Sequence, residues 1–199
     1  ADAPVSFLRA GIGDTLAKFY EVEFSARNGK KTYSDEMALS ISAMCNKPLM
    51  RDAAKALSDA KRQTASEELE NIIRIIVIST GMVSMLINDK YNGAVAHALF
   101  YGLTNIDGFE LKFLHGDVVA YTTSVQLVLD NNIEEAKKVR AFLEQIGIET
   151  TLKQRGITVE RKEFEKILTS TLADPDMEVV PYKITADMLF DAIVKTESL

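Results

Sequence analysis

Nowhere in these 199 residues do apolar and polar side chains alternate for long enough to make a convincing β-strand. Apolar residues recur instead at every third or fourth position, the spacing that gathers them on one side of an α-helix. Leu16, Phe19, Tyr20 and Phe24 set this pattern early. EEAKKVRAFLEQIG repeats it, with Glu134 four residues ahead of Lys138 and Gly147 as a stop signal. The fold class that follows is all-α, a bundle of about eight to ten helices with no internal repeat and no low-complexity stretch.

Local signals predict where the helices lie. A short helix over 5–9 is broken at Gly11-x-Gly13, and a longer one over 14–26 starts at Asp14 and stops at Gly29. Ser34-Asp35-Glu36 opens a helix that runs towards Leu57, with a kink or break between Asn46 and Pro48. The stretch 67–86 is apolar on more than one face, which predicts a helix buried in the middle of the bundle, its Gly81 marking a close backbone contact. Helices over 94–103 and 115–129 flank a loop at 104–112. Further helices cover 133–146 and 160–172, the second ended by Asp174-Pro175, and Thr185 caps the last.

The bulk numbers bound what such a bundle does. A formal charge of −6, a pI near 5.1 and no cluster of Lys and Arg exclude a nucleic-acid footprint. One cysteine, Cys45, excludes an intrachain disulfide, reads as a core residue, and suits a reducing, cytoplasmic setting. No apolar run reaches the length of a bilayer span and ADAPVSFLRAG is not a signal peptide, so no membrane partner is expected. Without an initiator Met, and with Pro4 suited to a first helical turn, the chain reads as starting in mid-protein.

The chain has two histidines, His97 and His115. Neutral imidazole is the commonest metal ligand, but a catalytic zinc typically takes three protein ligands and keeps one position open. Asp14, in the glycine-flanked phrase AGIGDTLA, is a candidate third ligand. Each residue also has a structural reading: Asp14 as a helix N-cap, His97 and His115 as packed interior side chains. Asp117 is either an acceptor behind His115 or a solvated carboxylate in a first helical turn.

Three phrases, GIGDTLAKFYE, AVAHALFYGLT and LHGDVVAYTTSVQLVL, resemble the C-terminal helical domain of the glycerol dehydrogenase branch of the iron-containing alcohol dehydrogenase family. The resemblance implies a bundle of the dehydroquinate synthase-like type, residues 1–199 forming a single metal-binding domain. Asp14, His97 and His115 are then both the metal ligands and the catalytic set. Lys18 stands where iron-using relatives commonly carry a fourth ligand, a His. That favours Zn2+ over Fe2+, with other divalent metals still open. Phe100 stands where a second His often follows the first, a change that alters substrate contacts or proton relay.

By the same resemblance the activity is NAD- or NADP-dependent oxidation of a small alcohol, polyol or hydroxy acid. The dinucleotide is held mainly by an N-terminal nucleotide-binding domain absent from this chain. No residue here is assigned to it, because the GIGD glycines lack a preceding strand and end in a carboxylate that repels a pyrophosphate. The chain alone is expected to hold metal but oxidise nothing; homo-oligomerisation stays open. Two alternatives are a lyase domain of the dehydroquinate synthase type and a helical interaction module without catalysis.

Overall fold

The computed structural model describes residues 3–199, and among them there is no strand. Helix α1 runs unbroken over Val5–Ser25. The expected break at Gly11-x-Gly13 is absent. Each helical glycine costs only about 1 kcal/mol relative to Ala, and the flanking Ile12, Leu16 and Ala17 are fully buried. Asp14 therefore sits in the middle of a helix rather than at its start, which removes the N-cap reading.

Helix α2, Tyr33–Lys61, opens with a reciprocal capping box in which the Thr32 hydroxyl accepts from the Asp35 N–H and Asp35 accepts from the Thr32 N–H. It passes through Pro48 without a break. The ring leaves the Met44 carbonyl without its helical donor, but Ala43, Met44 and Lys47 are exposed, so water can replace it.

Helix α3 spans Glu67–Leu86 and contains one wide π-type turn, Ile75–Ser79, where the Thr80 hydroxyl donates to the Ile75 carbonyl. Here the expectation of a central, buried helix is wrong. Only Ile72, Ile75 and Val83 are buried, whereas Ile73, Val77, Ile78, Met82 and Met85 face outward. The helix packs chiefly against α2 and so has one covered side. A Cβ on Gly81 would meet nothing within 4 Å, so that glycine marks no close contact. By length and composition alone α3 is long and apolar enough to cross a membrane, which corrects the expectation that no such segment exists.

The centre belongs to a different helix. After α4, Val95–Leu103, and a connection holding one short helical turn at Phe109–Lys112, helix α5, His115–Leu129, is buried along nearly its whole length. Helices α1 and α4 lie against it, as do α6, Ile133–Gln145, and α8, Ala186–Thr196; α7, Arg161–Leu172, packs on α4. Because α5 is covered all round, its polar residues are satisfied internally. The Thr122 hydroxyl donates to the Ala96 carbonyl at 2.8 Å, and Gln126 donates to the Tyr20 carbonyl while accepting from the Ala96 N–H. Gln126 thus ties α1 and α4 to the central helix. Cys45 is buried and unpaired, as a core residue should be. Thr185 caps α8 through the Met188 N–H, and Gly147 takes the left-handed conformation after α6.

Candidate metal centre

Three helices deliver one side chain each to a single point. Asp14 comes from the middle of α1, His97 from the first turn of α4, and His115 is the first residue of α5. Asp14 Oδ1 lies 3.4 Å from Nε2 of His97 and 3.4 Å from Nε2 of His115. One ligand atom from each residue falls within 4.8 Å of the other two.

Those separations test whether an ion fits. Good N–H···O bonds cluster near about 2.9 Å. Ligand atoms around a tetrahedral zinc, at bond lengths of about 2.0–2.1 Å, stand roughly 3.3 Å apart. The separation of the carboxylate from each imidazole is close to that ligand–ligand spacing and longer than a good hydrogen bond. His97 is nearly covered, while Asp14 and His115 are 39% and 44% exposed, so the cluster opens on one side.

Glu21, two turns after Asp14 on α1, is fully buried and was not singled out from the sequence. Its carboxylate accepts from the Ala94 N–H at 3.0 Å and the His97 N–H at 2.8 Å, satisfying the first turn of α4. It also engages His97 Nδ1 through a short contact. Holding Nδ1 fixes the ring's orientation and turns Nε2 towards Asp14, the arrangement by which an outer carboxylate orients a ligating imidazole. The one sequence signal was a carboxylate at the seventh position after Asp14, among buried apolar neighbours on the same helix.

The charges reinforce one another. Burial disfavours the charged form of His97, but the carboxylates of Glu21 and Asp14 outweigh it and push its pKa up to about 10. Burial likewise works against ionised Asp14 and Glu21. The two imidazoles hold Asp14 well below the usual carboxylate range, and His97 lowers Glu21.

Asp117 plays neither role expected of it. It is buried and takes a two-point ion pair from Arg9, at 3.2 and 2.6 Å. Lys18 donates to the backbone and side-chain oxygens of Asn92, pinning the segment that leads into α4. Phe100 is buried, its ring 4.3 Å from that of His115 and at 79° to it.

No family model matches the chain. Relatives do. Hydroxycarboxylate dehydrogenase A of Escherichia coli K12 is 30% identical over 200 residues, covering 99% of this chain and 55% of that protein. A glycerol dehydrogenase of E. coli O6:H1 is 33% identical over 163 residues, covering 79% of this chain and 43% of the other. The crystal structure of a probable glycerol dehydrogenase from Sinorhizobium meliloti 1021 superposes with a TM-score of 0.87 at 26% identity, over 98% of this chain and 56% of that one. An iron-containing alcohol dehydrogenase from Thermotoga maritima shares the fold, at a TM-score of 0.64 and 19% identity, over 100% of this chain and 51% of that one.

The chain is a homologue of glycerol dehydrogenases and of a hydroxycarboxylate dehydrogenase, and it shares the fold of an iron-containing alcohol dehydrogenase. It spans about half the length of the relatives it matches.

Proposed function

We propose that Asp14, His97 and His115 hold a divalent metal ion, zinc by preference, and that residues 1–199 form the helical metal-binding lobe of a dehydrogenase for small alcohols, polyols or hydroxy acids. The observation that carries this is the placement of one Asp14 oxygen at 3.4 Å from each of two Nε2 atoms. An ion held there supplies Lewis acidity towards a substrate hydroxyl, and a nicotinamide on the other half of the enzyme supplies the hydride acceptor.

This chain's own residues prepare that site. Glu21 keeps a proton at Nδ1 of His97 and leaves Nε2 for the ion. Asp14 brings negative charge that two neutral imidazoles lack. The exposed sides of Asp14 and His115 leave room for a substrate to approach, while buried Glu21 keeps water from the back of His97.

The dinucleotide, NAD or NADP, is assigned to an N-terminal nucleotide-binding half, in keeping with relatives about twice as long as this chain. The bare apolar side of α3 is the kind of surface that contact with another folded unit covers. A cytoplasmic setting suits the unpaired thiol of Cys45.

Zinc titrated into the metal-free chain should raise Tm, and a chelator should reverse the rise. A hundredfold excess over Kd corresponds to about 2.7 kcal/mol of added stability. His97→Ala and His115→Ala should each abolish it. If both variants keep the full zinc-dependent rise, the assignment is wrong.

A further inference from the structure

The two imidazoles are supported by different physics, and we propose that Phe100 is the positioning residue for His115. This rests on the metal site proposed above. His97 is steered by a hydrogen bond from Nδ1 to a fully buried carboxylate. The ring of His115 has no hydrogen-bond partner among the described residues apart from its approach to Asp14, and it is far more exposed. An imidazole at the first position of a helix, with one free nitrogen and open space beside it, needs something else to select its rotamer.

The Phe100 ring does this by contact. At a centroid separation of 4.3 Å and an interplanar angle of 79°, the pair takes the edge-to-face arrangement that aromatic quadrupoles favour. Phe100 is held in its turn. It is 4% exposed, with the Phe109 ring centroid 6.4 Å away; Phe109 packs at a tilt against Phe113, centroids 5.1 Å apart, and the Arg155 guanidinium lies 5.5 Å over Phe113. Arg155 also donates to the Asp117 carbonyl, two residues beyond His115. A connected wall of rings and one buried arginine therefore backs the first turn of α5.

Residue order makes the arrangement economical. Phe100 follows His97 by three positions, so one face of α4 carries both a ligand and the ring that aims the second ligand. Phe100 fixes the plane of His115 and leaves its Nδ1 without a protein partner, whereas Glu21 fixes both orientation and proton position at His97.

The experiment measures Zn2+ affinity by competition with a chromophoric chelator, and Co2+ absorption, in the full chain and in Phe100→Leu, with Phe164→Leu, at a buried ring on α7 outside that wall, as a packing control. Phe100→Leu should weaken Zn2+ by about ten-fold, the upper end of what one edge-to-face pair supplies, and alter the Co2+ spectrum. Phe164→Leu should lower Tm comparably yet keep wild-type affinity. Unchanged affinity in Phe100→Leu, or equal loss in both variants, overturns the inference while leaving the metal site in place. Failure of the unsubstituted chain to bind Zn2+ overturns the site as well. Should Phe100→Leu not fold, NMR of the unsubstituted protein decides. With two histidines the ring protons are separable, and those of His115 should be displaced by ring current and show cross-peaks to Phe100; free-histidine shifts without cross-peaks refute it.

Discussion

Gly13 and Gly116 meet backbone to backbone: a Cβ added to Gly13 would lie 2.3 Å from the carbonyl oxygen of Gly116, and one on Gly116 would lie 1.9 Å from the carbonyl oxygen of Ala10. Each glycine is next in sequence to a proposed ligand, Asp14 and His115. The closeness of α1 and α5 is what brings a mid-helix carboxylate within 3.4 Å of an imidazole at another helix's start.

Gly13→Ala should consequently cost stability even though alanine is the better helix former. The obstructing atoms are main-chain and cannot rotate away, so a net loss of about 1–3 kcal/mol is expected, with weaker zinc binding. Gly81→Ala is the contrast, since its Cβ enters open space; it should gain about 0.5–1 kcal/mol. Urea unfolding of the two variants measures both numbers. A neutral Gly13→Ala would mean that the helices do not approach this closely.

Glu21→Gln keeps the shape of the side chain and removes its charge. Zinc affinity should fall roughly 10–100-fold, the usual consequence of losing the partner behind a ligating imidazole, although Asp14, His97 and His115 are all intact. Isothermal titration reads this directly. Affinity within a factor of two of wild type would reduce Glu21 to a helix cap for α4.

Turnover should be absent from this chain alone. Loaded with zinc and given NAD or NADP with glycerol, it should produce no absorbance of reduced nicotinamide, because the dinucleotide is assigned to another half of the enzyme. Sustained reduction by the purified chain would contradict that division of labour.

Acid stability should depend on Asp35, away from the metal site. Burial raises its pKa, but the Thr32 N–H, the Thr32 hydroxyl and the Asn88 N–H, each 2.7 Å from the carboxylate, more than offset this and leave it lowered. For a carboxyl group lowered on folding, the stabilisation is complete above the unfolded pKa, near about 3.9. It fades as pH falls through the lower folded value. Asp35→Asn should destabilise at neutral pH and flatten the acid limb of a Tm–pH curve. An acid limb parallel to wild type would show that Asp35 does not contribute to it.

The sequence by itself settled the class and the parts. Three- and four-residue spacing of apolar side chains requires helices, and His97, His115 and Asp14 stood out because imidazoles are rare here and the phrases around all three resemble one family. Periodicity says which side of a helix is apolar but not what covers it. That is why the Ile-rich α3 looked central and lies at the edge, while α5, with Thr122, Thr123, Ser124 and Gln126, occupies the middle. The glycines of α1 read as a break because local propensity counts against them, yet packing of Gly13 against Gly116 and of Gly11 against Ile76 outweighs a cost of about 1 kcal/mol each. Glu21 was ordinary in the sequence and became distinctive only through a partner 76 residues away. Tertiary structure alone decides such pairings, because hydrogen bonds and ring contacts depend on distance in space, which the order of residues does not contain.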